Sequence, residues 1–204
     1  MKPRVSAAVF LLLGAATLAH VGAQQPPRFT KQDGDRFQSK LVRIVETGNK
    51  PRARTDSGLT TRMTDTEVTS FLRYNARDQV PVGIVEPTLI ALGDGRVSGR
   101  AIVDLDAVRA QKQRGWLDPL SYLTGKLPLT ATGILVTQEG VGRFQLESAE
   151  ISGVAIPKTL VQELLSYYSK TTERPAGINM DDPFELPSRI REIRVGKGEA
   201  TVIQ

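Results

Sequence analysis

The chain has 204 residues, a formal charge of +5, 40% hydrophobic residues and no cysteine. That length suits one domain with a sizeable core, while so mild a basic balance, without a basic stripe interleaved with aromatics, argues against a nucleic-acid partner. The missing cysteine excludes a disulfide framework and a thiol nucleophile; the single histidine, His20, lies in the first two dozen residues, so the rest of the chain cannot build a Ser-His-Asp triad or an ordinary zinc site.

Residues 1–23 have the layout of a secretory signal: "MKPR" as a basic start, "VSAAVFLLLGAATLA" as the apolar stretch, and "VGA" as the small residues before a cut after Ala23. The alternative, an uncleaved anchor, suffers from an apolar run that is short for a spanning helix. No later stretch is apolar enough to span, so the expectation is a soluble exported chain, periplasmic or secreted. Residues 24–59 read as a disordered leader over 24–36, a short amphipathic helix over 36–47 (Phe37, Leu41, Ile44 and Val45 at helical spacing) and a basic connector, "NKPRARTDSG". That connector is either a solvated linker or a transient electrostatic contact with a membrane surface.

Residues 60–204 read as the folded domain. In "TDTEVTSFLRYNAR", Thr64 and Glu67 have the spacing of a capping box, and Val68, Phe71, Leu72 and Ala76 share one helical face. Period-two alternation then marks strands. In "RVSGRAIVDL", Val97, Ala101, Val103 and Leu105 oppose Arg96, Ser98, Arg100 and Asp104; "LPLTATGILV" and "RFQLESAEI" alternate likewise, and "PTLIAL", "IREIRV" and "EATVIQ" add further strands. The triplets Gly93–Gly95, Gly140–Gly142 and Gly196–Gly198 lie between strand patterns and read as hairpin turns, since none continues into a dinucleotide fingerprint. The stretch between the second and third strands carries the only tryptophan, Trp116, with Leu117, Leu120, Tyr122 and Leu123. It is either a flap over a pocket mouth or a loop packing its own aromatics.

"IPKTLVQELLSYYSK" is an amphipathic helix, with Leu160, Val161, Leu164, Leu165, Tyr167 and Tyr168 within an arc of about 160° and Lys158, Gln162, Ser166, Ser169 and Lys170 on the rest. Its apolar face covers either the protein's own sheet or a bound hydrocarbon. Asp181, Asp182 and Glu185, and separately Asp104 and Asp106 on one strand face, could hold a hard cation, but neither group has EF-hand spacing. The hydrolase motifs G-x-S-x-G and S-x-x-K are absent. A paired-carboxylate glycosidase stays open on these grounds alone, although aromatics are only 5% of the chain. No metal and no cofactor is expected.

"MTDTEVTSFLRYNA", "GDGRVSGRAIVDLD", "GRFQLESAEISGVAIPKTLVQELLSYY" and "PFELPSRIREIRVGKGEATVI" together resemble, in pattern and order, the tubular lipid-binding (TULIP-like) half-domain. The likeness is greatest to small periplasmic proteins of the YceB type and their actinobacterial lipid-binding relatives. The resemblance implies a single α+β domain, a strongly twisted antiparallel sheet wrapped around amphipathic helices. It also implies an apolar groove between sheet and helix that binds or shuttles a lipid, with no catalytic residues to carry over. Phe71, Leu72, Trp116, Leu123, Leu160, Leu164, Leu165 and Tyr168 are the candidate lining. The chain departs from the family in lacking the lipoprotein cysteine and in having an extra N-terminal helix that could plug or flank the groove. The competing expectation is a non-catalytic envelope protein, structural or interacting, with a fully packed core.

Overall fold

The computed structural model describes residues 28–50, 58–111 and 124–204. The signal-like segment, most of the basic connector, and the stretch holding Trp116 and Leu123 lie outside the described residues. In chain order the elements are α1 (Lys31–Asn49), β1 (Thr60–Thr64), α2 (Asp65–Tyr74), β2 (Ile84–Gly93), β3 (Arg96–Asp104), α3 (Leu105–Gln111), β4 (Lys126–Gln138), β5 (Val141–Ile151), β6 (Val154–Ala155), α4 (Lys158–Tyr168), β7 (Phe184–Glu185), β8 (Glu192–Gly196) and β9 (Glu199–Ile203).

The α+β antiparallel architecture is the expected one, in a single domain, but it is built on two sheets. A three-stranded sheet has the order β1-β9-β8, and a larger sheet has the order β2-β3-β4-β5-β6, with β7 pairing the far end of β5. The larger sheet is open and not curled round the helices. The two are stitched at one end: Gly198 N–H donates to Ala91 O (2.8 Å) and Gly95 N–H to Val195 O (3.2 Å). Thr137 Oγ1 donates to Ile193 O and accepts from Ile193 N–H (3.0 and 2.7 Å).

The packed core sits on the small sheet. Phe37 and Ile44 of α1, Met63 of β1, Leu186, Ile190 and Val202 form its buried cluster, with Leu41, Val68, Phe71, Ile193 and Ala200 packed against it. This corrects the expectation for α1. The helix starts at Lys31, not residue 36, capped by Thr30, whose hydroxyl accepts from Asp33 N–H. It is a core element, not a plug. Its polar first turns hide it from a search for apolar periodicity. Two polar clamps hold it on α2. Lys40 Nζ reaches both oxygens of Glu67 (2.8 and 2.7 Å), and Asn75 Nδ2 donates to Asp35 Oδ1 and Gln38 Oε1. Glu67 is at the same time the third residue of the capping box that Thr64 opens, as its spacing predicts.

Three smaller expectations need correction. Ser98 lies on the polar face of β3 but is only 5% exposed. Its neighbours across the ladder are Ile90 and Thr132, and Thr132 Oγ1 donates to its hydroxyl. Asp106 belongs to α3, not to a strand, and its carboxylate accepts from Gly125 N–H. The β4–β5 hairpin turns on Glu139 and Gly140, both at positive φ (51° and 85°), while Gly142 lies inside β5.

Candidate functional site

Pairing register places Leu89, Gly99, Ala131 and Ala149 side by side across β2, β3, β4 and β5. Residues two apart along a strand share its face, so Val97, Ala101 and Val103 of β3 and Leu127, Leu129, Gly133 and Leu135 of β4 lie on that face too. On β3, β4 and β5 this row is thus made of the small residues Gly99, Ala131 and Ala149, with Val97, Leu129 and Leu146 among their neighbours on the same face. Two glycines on it are closed by aromatic rings. A Cβ built on Gly133 would meet the Phe144 ring at 2.5 Å, and one on Gly142 would meet the Phe184 ring at 2.5 Å. A Cβ on Gly99 would meet no heavy atom of the described residues within 4 Å. The row from β3 to β5 spans roughly 10 Å at about 4.8 Å per strand spacing, a shallow trough with its open point at Gly99.

The helix beside the sheet is half-buried on its apolar side. α4 packs against β5. Pro157 occupies its N-cap position, one residue ahead of the first turn, and supplies no side-chain cap. The polar side of α4 is fastened to the returning chain. Gln162 Nε2 donates to Ile178 O, Met180 N–H donates to Gln162 Oε1, Ile178 N–H donates to Ser169 Oγ, and Lys158 pairs with Asp181 at 2.6 Å. On the apolar side, Leu160, Val161, Leu164, Leu165 and Tyr167 are all half-buried. Val97, Val103, Leu127, Leu129, Leu135, Phe144 and Leu146 on the sheet are half-buried as well.

The residues expected to line one groove fall in different places. Leu160, Leu164 and Leu165 share the apolar, half-buried face of α4. Phe71 faces the core, its ring 5.1 Å from that of Phe37. Leu72 lines a separate cavity between α2 and the start of β2. Trp116 and Leu123 lie outside the described residues, and so does the side chain of Tyr168. The small-residue row was not anticipated. Its signal was present in the glycine and alanines at positions where β3, β4 and β5 otherwise carry large aliphatics.

Among the described residues no group of three or more His, Cys, Asp or Glu side chains could hold a metal ion, and no helix is long and apolar enough to cross a membrane. The buried carboxylate of Glu67 has a structural role. Burial works against ionisation of Glu67, but hydrogen bonds from Lys40 and the Thr64 backbone, with the charges of Lys40 and Arg36, outweigh it and hold its carboxyl below the usual range.

No family model matches the chain, and no curated protein matches it. Among solved structures, a crystal structure of lipopolysaccharide binding protein is similar at 14% identity and a TM-score of 0.22. The alignment covers 72% of this chain and 40% of that one. The chain therefore spans less than half the length of that protein, and a likeness of this size does not establish a shared fold.

Proposed function

We propose that this protein is exported and non-enzymatic, and that it binds or shuttles an apolar lipid between the apolar face of the large sheet and α4. The observation that carries the reading is the half-burial of the apolar faces of the large sheet and of α4, with open space before Gly99 on the sheet and the polar side of α4 already secured. A protein that needed α4 only as a lid would gain by closing the trough with larger side chains, since each buried methylene contributes roughly 0.8 kcal/mol. The same figure gives a bound chain its affinity without a salt bridge. About twelve buried methylenes supply ~10 kcal/mol before ordering costs, enough for micromolar retention. Export is supported by the layout of residues 1–23, and the non-enzymatic reading by the shortage of nucleophile, histidine and thiol chemistry in residues 24–204.

The test is Gly99→Val with lipid extraction and mass spectrometry of both proteins. Gly99 is not at positive φ and has open space before it, so valine fits the backbone and suits a strand. The expected outcome is an unchanged or raised melting temperature with loss of copurifying lipid. A wild-type protein that carries no lipid, together with a strongly destabilised Gly99→Val, would sink the reading and favour a packed structural or interaction protein.

A further inference from the structure

A second cavity, of about 530 Å³, opens between the end of α2, the turn after it and the first residues of β2. Leu72, Tyr74, Val82 and Val85 form its apolar wall; Tyr74, Val82 and Val85 are 41%, 50% and 37% exposed. Arg73 also lines it, but its guanidinium is engaged by Pro87 O (2.9 Å), Glu86 O and Thr88 Oγ1 (2.6 Å), with Phe29 beneath. Two other charges at the wall are held more loosely, Arg77 lying 6.0 Å from the Tyr74 ring centroid. Arg77 gives its Nε to Arg73 O (2.7 Å), and its terminal nitrogens have no carboxylate partner among the described residues. Glu86 has no cation partner among the described residues. Its backbone is at φ 51° immediately before Pro87, a pairing that both the side chain and the following ring disfavour. The ladder to β3 slips between Val85 and Thr88 at that point, and Arg73 holds the bulge in place.

We propose that this cavity binds a zwitterionic amphiphile, with the anionic group on Arg77, the cationic group on Glu86 and the tail along Leu72, Val82 and Val85. The charge pattern selects the class. An anionic head meets Glu86, a cationic head meets Arg77, and a neutral head forgoes both charge-assisted contacts; a head carrying both charges satisfies each. The cavity shares no residue with the trough, so the two sites stand or fall separately.

The experiment is isothermal titration of the purified protein with four probes of equal chain length, each below its micelle concentration: dodecylphosphocholine, dodecanoate, dodecyltrimethylammonium and dodecyl maltoside. Dodecylphosphocholine is expected to bind about tenfold tighter than the others, the size of one charge-assisted contact. Arg77→Gln should move the preference towards dodecyltrimethylammonium, Glu86→Gln should move it towards dodecanoate, and Val82→Asp should weaken all four. Equal affinity for the four probes, or an order unchanged in both Arg77→Gln and Glu86→Gln, overturns the proposal. If Gly99→Val abolishes dodecylphosphocholine binding, the probe belongs to the trough and the cavity assignment falls while the lipid reading stands.

Discussion

Glu67 shows what four adjacent letters can and cannot reveal. Its capping role is local and readable from "TDTE", because the hydroxyl and carboxylate must meet backbone groups one turn apart. Its second role, receiving Lys40 at 2.7 Å across 27 residues, has no local signature. Glu67 is 6% exposed, so Glu67→Gln removes a buried charge-assisted pair and should cost about 1–3 kcal/mol at neutral pH. Because the carboxyl is held below its ordinary range, its contribution is complete above the unfolded carboxylate pKa and fades as pH falls through the lower folded value. Denaturant unfolding of wild type and variant should converge in that acid window; a difference that persists unchanged to low pH would contradict this account. Gly48 makes a steric case at the same scale. Alanine there would ordinarily stabilise a helix by up to about 1 kcal/mol. Its Cβ, however, would lie 2.5 Å from the Ser188 carbonyl oxygen, in a turn with Ser188 and Arg189 both at positive φ and pinned by Gln204 Nε2 (2.7 Å). Overpacking against backbone that cannot yield should dominate, and Gly48→Ala should lower stability by about 1–3 kcal/mol. A raised melting temperature would show that the turn gives way.

At the scale of elements, alternation located β3, β4 and β5 because one face of each is apolar and half-buried and the other largely polar. It misjudged Ser98 because a small hydroxyl can be buried on a polar face when it is satisfied across the ladder, here by Thr132. The stripe on α4 was equally legible, but what it covers was not, since a helix face reads the same over a sheet or over hydrocarbon. The contrast with α1 makes the difference measurable. Ile44 is 3% exposed within the core, and Ile44→Ala should cost about 2–5 kcal/mol. Leu164, half-buried near the middle of the α4 stripe, should cost under about 2 kcal/mol when replaced by alanine, because it has fewer fixed neighbours to lose. Leu165→Trp should be tolerated as well and should displace copurifying lipid. Equal costs at Ile44 and Leu164 would mean that α4 is packed as tightly as the core.

At the scale of the molecule, the division into two sheets was the least legible feature. β1 is five residues of "TTRMT", too short and polar to announce itself, and its partner β9 lies at the other end of the chain. The division sets up unequal stability. The small sheet, α1 and α2 share a closed cluster. The fully buried positions of the large sheet are mainly small or polar, among them Ala91, Ser98 and Ala149. Elements with few buried apolar contacts open at lower free energy than the whole domain. Native-state hydrogen exchange should therefore separate two classes of amide. Those near Phe37, Ile44 and Val202 should exchange only through global unfolding, typically on the order of 5–15 kcal/mol for a domain. Those of α4 between Leu160 and Leu165 should exchange through cheaper local openings. A lipid bound in the trough would stabilise only conformations in which α4 is seated, by an amount that grows with the logarithm of its concentration. Protection of α4 should then rise towards the core value on adding lipid, with the core amides following by no more than the same increment. If α4 in lipid-free protein were already protected as strongly as Ile44, its apolar face would be closed by the protein itself, and the trough would have no room for a chain.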